Sequence, residues 1–147
     1  MAWRELTEAD VQGVLSEPEA TAYQVAAIAV GQDTLYDTIT SVVNQCRGYI
    51  ADHPQNSLAA GLTLPDRVIL SALHIIRVEL LTRLDMEVSK DRESAKRDAI
   101  RFFERVSEGK VAIESPTGAT EESGSTPSCE TLGDRERIST RTKMSGL

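Results

Sequence analysis

The sequence is short of nearly everything that marks a reaction centre, a metal site or a membrane. It has two cysteines and two histidines in 147 residues. Cys46 lies inside a helical apolar pattern and Cys129 in a polar stretch, so they match neither the paired spacing of a zinc site nor a disulfide framework, and a reducing cytoplasm suits them. No run approaches the roughly 18 unbroken apolar residues that a membrane span requires, and Met1-Ala2-Trp3-Arg4-Glu5 has no apolar stretch of the signal-peptide kind. Basic residues are in deficit. Sixteen Lys and Arg against 23 Asp and Glu give a formal net charge of -7, which argues against a surface that holds nucleic acid through clustered cations. A Gly-rich phosphate loop, a Ser-His-Asp set and an acidic metal cluster are also missing. The expectation is a protein that is not an enzyme and uses no cofactor or metal.

The histidines do not change this. His74 sits among Leu73, Ile75 and Ile76 with no carboxylate three or four residues away to orient it, which reads as a structural histidine rather than a general base. His53 precedes Pro54 and reads as a loop residue.

What is present is helical periodicity. A chain of this length fits one domain, and a body of about 110 residues can bury one modest core. Thr7-Glu8-Ala9-Asp10 is a variant of the capping box and predicts a short helix from about Glu8 to Leu15. Ser16-Glu17-Pro18-Glu19 opens a second, Ala-rich helix that passes through Val25, Ile28 and Val30 and stops at Gly31. Asp33 can cap the third, where Leu35, Ile39, Val42, Val43, Cys46 and Ile50 recur every three or four residues and define one buried face. His53-Pro54 ends it. Leu64-Pro65-Asp66 restarts a helix whose Val68, Ile69, Ala72, Leu73, Ile76, Leu80, Leu81 and Leu84 make a wide apolar stripe; with Ile75 and Val78 also apolar, this is the expected central helix. Ser89 or Asp91 can cap the last helix, with Ala95, Ala99, Phe102, Phe103 and Val106 on its inner face and Gly109 at its end. No strand signal is evident. The fold expected is an all-α antiparallel bundle of four to five helices, residues 1–113, followed by a long extended C-terminal arm, residues 114–147.

The last helix alternates in charge sign from Lys90 to Arg105. A solvated face with pairs such as Glu93 with Arg97 is the plain reading. The sharper reading makes Arg92, Lys96, Arg97, Arg101 and Glu104 an intersubunit face, because acidic and basic edges of one copy can meet their complements on the next. The arm is rich in Ser, Thr, Gly and Glu with Pro116 and Pro127 as breakers, a composition that does not order by itself. Its end differs: Ile138, Arg141, Lys143, Met144, Gly146 and Leu147 give it basic and apolar handles for another subunit.

The order of these signals is similar to that of a known family. Thr7-Glu8-Ala9-Asp10-Val11, the helix from Leu35 to Ile50, the restart at Leu64-Pro65 into Ala72-Leu73-His74-Ile75-Ile76-Arg77, the helix closing at Glu108-Gly109-Lys110 and the terminal Arg141-Thr142-Lys143-Met144-Ser145-Gly146-Leu147 together resemble the Mu-like phage head-tail connector, or adaptor, proteins. The resemblance spans nearly the whole chain, and departs from the family in the Ala-rich Ala20–Val30 stretch and in the length of the arm. It implies a structural virion protein that forms a ring, often of twelve copies, in the neck between head and tail, assembled in the bacterial host cytoplasm. Its partners would be the portal protein, neighbouring copies of itself and a downstream neck or tail protein, with no membrane involved. The portal-docking role would fall on Ile138, Arg141, Lys143, Met144, Gly146 and Leu147. DNA would pass through such a ring without specific binding, and an acidic wall suits that passage. The alternative is a small cytosolic helical adaptor or regulatory module whose arm is a linker or peptide ligand.

Overall fold

The computed structural model describes residues 2–30 and 34–116. Five helices make up most of them: α1 (Glu8–Val14), α2 (Glu17–Val30), α3 (Thr34–Ala51), α4 (Asp66–Arg83) and α5 (Lys90–Ser107). The expected all-α bundle is the architecture found. Thr7 caps α1 through the reciprocal box, its side chain accepting from the Asp10 amide while the Asp10 carboxylate accepts from the Thr7 amide at 2.9 Å. Ser89 holds the N-cap position of α5, and its carbonyl, not its side chain, receives the amides of Arg92 and Glu93. Asp33, the cap expected for α3, lies outside the described residues, as does Gly31.

Helix α4 packs against α1, α3 and α5 and is the centre of the fold. Nine of its side chains are buried, among them Ile75 and Val78, so it is covered on more than one side, which the wide apolar stripe predicted. Phe103, Leu35, Ile50, Ile76, Leu80 and Val106 are fully enclosed, and Tyr49 stacks on Phe103 with ring centroids 5.9 Å apart. Phe102 corrects the expected core: it is only half-buried, edge-on to Phe103. Phe103 is in line with Ala99 and Val106, four and three residues away on the inner face, whereas Phe102 is turned about 100° from it.

A two-stranded antiparallel sheet is the second correction. β1 (Trp3–Glu5) pairs with β2 (Thr63–Pro65) in the register Trp3 with Pro65, Arg4 with Leu64 and Glu5 with Thr63. Three residues are too few for an alternating pattern to show, and the partner lies some sixty positions away, so sequence periodicity is silent on it. Pro65 ends the strand and holds the N-cap position of α4, where its missing amide costs no ladder hydrogen bond.

Side chains then fasten the loops. Arg47 on α3 donates to the carbonyls of Thr63 and Ala59, both at 2.7 Å. The Trp3 indole donates to the Glu114 carbonyl at 2.8 Å, and Arg67 to the Ala112 carbonyl at 3.0 Å. Val111 is buried and Ile113 packs against the core, so the segment after α5 folds back over the sheet end of the bundle. Gly109 closes α5 with φ of 74°, and a Cβ there would collide with the His53 ring. That position needs glycine twice over, for its backbone and for its space.

Candidate interaction surfaces

Helix α2 is attached to the bundle by a buried charge. Glu19 is 4% exposed. Its Oε2 accepts from the Ser16 amide at 2.8 Å and from Arg77 of α4 at 3.1 Å, and its Oε1 forms an ion pair with Arg92 of α5. The Ser16-x-x-Glu19 spacing is the carboxylate half of a capping box, so a local signal for the helix start was present. Nothing local announced the two arginines. Burial makes Arg77 easier to deprotonate than a free guanidinium, and its Nε is enclosed without a hydrogen-bond partner. Tyr23 is buried and Ala27 packs on the core one turn apart along the same side of α2.

The opposite side of α2 is open and mixes apolar Val25 and Ile28 with polar Thr21 and Gln24. Val25 is 63% and Ile28 85% exposed, and no charge occurs between Glu19 and Asp33. A shallow groove of about 340 Å³ also lies between α4 and α5, lined by Leu70, Ser71, His74, Ala95, Asp98, Ala99 and Phe102. Leu70 is 61% exposed. The sequence pattern placed none of these three residues on an exposed face, because apolar periodicity cannot distinguish a core from an open groove.

The charged face expected on α5 divides in two. Arg92 turns inward to Glu19, and Lys96 pairs with Glu79 of α4. Arg97, Arg101 and Glu104 point to solvent, and Arg101 approaches Asp98 at 3.9 Å. The portal-docking residues Ile138, Arg141, Lys143, Met144, Gly146 and Leu147 lie outside the described residues, as does Cys129.

The cysteine and the two histidines of the described residues belong to the helical body. Cys46 is buried in α3, and burial pushes its thiol up to about 12, which leaves it protonated and unreactive at neutral pH. His74 is half-buried on α4, and His53 abuts Gly109. Among the described residues no group of three or more His, Cys, Asp or Glu side chains is placed to hold a metal ion, and no helix is long and apolar enough to cross a membrane. Compared with family models, curated proteins and solved structures, the chain matches none.

Proposed function

We propose that this chain is a structural virion protein, a head-tail connector that sits as a ring between portal and tail of a tailed phage or phage-like particle. The observation that carries the reading is the order of signals along the chain, from Thr7-Glu8-Ala9-Asp10-Val11 through Glu108-Gly109-Lys110 to Arg141-Thr142-Lys143-Met144-Ser145-Gly146-Leu147. Physical features support it. The bundle exposes apolar side chains, among them Val25 and Ile28 on α2, Tyr36 on α3 and Leu70 on α4, of the kind that subunit contacts cover. A net charge of -7 suits a wall that DNA must pass without sticking.

In this reading the helical bodies touch their neighbours in the ring and the C-terminal residues dock on the portal protein. Of the α5 residues read as an intersubunit face, Arg97, Arg101 and Glu104 lie on the surface and are the ones to meet a neighbouring copy. The test is to purify particles from cells that carry the gene and image the neck by electron microscopy. The expected result is this chain at ring stoichiometry between head and tail. Its absence from particles, or tailed particles formed at normal yield without it, overturns the reading. Flanking portal, capsid and tail genes are the expected genomic setting; their absence favours the cytosolic adaptor.

A further inference from the structure

We infer that residues 138–147 of this chain dock on its own body, in the cavity framed by β1, α1 and α3. Arg141 and Lys143 face Glu5 and Glu8 there, and Met144 and Leu147 rest on the apolar floor. The cavity holds about 290 Å³, the lower end of what a specific ligand site offers. Leu6, Ile39 and Val43 make its floor and are buried, while Leu62 and the exposed Tyr36 line its side. Glu5 and Glu8 stand on its wall, both exposed, and among the described residues neither carboxylate is in an ion pair. Thr40 also lines the cavity, and its enclosed hydroxyl has no hydrogen-bond partner. Enclosed polar groups ordinarily find one. An apolar floor, two unpaired acids and an idle hydroxyl fit an occupant that joins cations to an apolar body.

Charge, exit point and reach select the C-terminal residues as that occupant. Residues 138–147 carry Arg141 and Lys143 with Ile138, Met144 and Leu147 and no acid, whereas residues 117–134 carry Glu121, Glu122, Glu130 and Asp134 and no base. Of the residues after α5, the last ten are therefore the complement of the cavity. The chain also leaves the described body beside it. The Trp3 indole holds the Glu114 carbonyl at 2.8 Å, and Glu5 follows Trp3 by two residues of β1, roughly 7 Å along the same side of the strand. A coil of the length of residues 115–137 spans roughly 25–30 Å, and such a tether sets a local concentration in the millimolar range. No separate partner of the same chemistry has that advantage.

Exposed ion pairs are weak and the floor is small, so the segment is docked for part of the time and adds little to the stability of the body. The contact does not rest on the connector reading. In that reading the portal competes for the same residues, and the cavity covers Met144 and Leu147 until it does.

A nitroxide at position 145 tests the contact, attached through Ser145→Cys in a full chain that also carries Cys129→Ser; Cys46 is buried and stays unlabelled. The amide resonances of Leu6, Thr40 and Leu62 are expected to broaden, and to the same extent after about tenfold dilution, because a tethered contact is independent of concentration. Glu5→Gln together with Glu8→Gln is expected to weaken docking roughly 2- to 30-fold, the worth of two exposed ion pairs. Both side chains are exposed, so this variant keeps the helix content of the parent. Absence of broadening at the cavity overturns the proposal, as does broadening centred on Ile28 or on Leu70 instead. Broadening undiminished in the Glu5→Gln, Glu8→Gln chain overturns the charge pairing. Broadening of an isotope-labelled chain by a separate nitroxide chain puts the segment on a neighbour and overturns docking on its own body.

Discussion

Glu19 on α2 and Arg77 on α4 meet at 3.1 Å across 58 residues of sequence, and Arg92 of α5 closes on the same carboxylate. One buried acid therefore joins three helices. Removing it leaves two guanidiniums, 20% and 26% exposed, without their common partner. Because both reach some water, Glu19→Ala is expected to cost about 2–3 kcal/mol, below the range for a fully enclosed pair. Urea unfolding measures the loss. Amide exchange locates it: residues 20–29 of α2 should exchange faster while α3 and α4 keep their protection. Unchanged exchange in α2 would show that Tyr23 and Ala27 hold the helix by themselves.

The two adjacent phenylalanines give an internal control. Phe103 is fully buried against Tyr49, whereas Phe102 is half-buried at the rim of the α4/α5 groove. Phe103→Ala is expected to lower stability by about 3–5 kcal/mol and Phe102→Ala by less than half as much, since the cost follows the apolar surface and cavity that truncation opens. Equal losses from the two substitutions would put the wrong side of α5 inside.

That contrast also marks how far the sequence could be read. Leu35, Ile39, Val42, Val43, Cys46 and Ile50 announce the α3 face because a helix repeats its buried side every three to four residues, and the density of apolar positions on α4 announces a centre. Phe102 and Leu70 carry the same apolar signal as their buried neighbours, and only tertiary packing decides which of them is covered. The pairing of Trp3 with Pro65 and the convergence of Arg77 and Arg92 on Glu19 depend on distant positions, about which local periodicity carries no information. Of the charged face read from α5, Arg92 and Lys96 find partners inside the chain, while Arg97, Arg101 and Glu104 stay on the surface.

Asp10 makes the start of the bundle sensitive to acid. Its carboxylate accepts from Arg4 at 2.9 Å and from the Thr7 amide. The Arg4 contact foremost, with the Thr7 bonds behind it and partial burial opposing, holds its pKa down at about 2 against an ordinary 3.8. The folded value lies below the unfolded one, so this stabilisation is complete above about 3.8 and is lost as pH falls toward about 2. Asp10→Asn removes the titrating group. The difference in urea midpoint between parent and Asp10→Asn should therefore be largest near about pH 5 and shrink on acidification. A difference that is constant with pH would assign the effect to shape alone.

The C-terminal residues carry the prediction that bears most directly on assembly. If the chain docks on a portal-like partner, Met144 and Leu147 fill apolar pockets there while Arg141 and Lys143 meet acidic groups, a small cluster of the kind that supplies most of an interface's energy. The described core is complete without them: Val111 and Ile113 are the last apolar side chains packed on it, and Glu114 is fixed by the Trp3 indole. Deleting residues 138–147 should leave the helix content and melting midpoint of the free protein nearly unchanged. The same deletion should abolish incorporation into particles and leave DNA-filled heads that cannot join tails. Both halves are needed. A truncated protein that melts early shows that the segment supports the fold, and one that enters particles at normal occupancy and yields tailed particles shows that its basic and apolar residues dock on nothing.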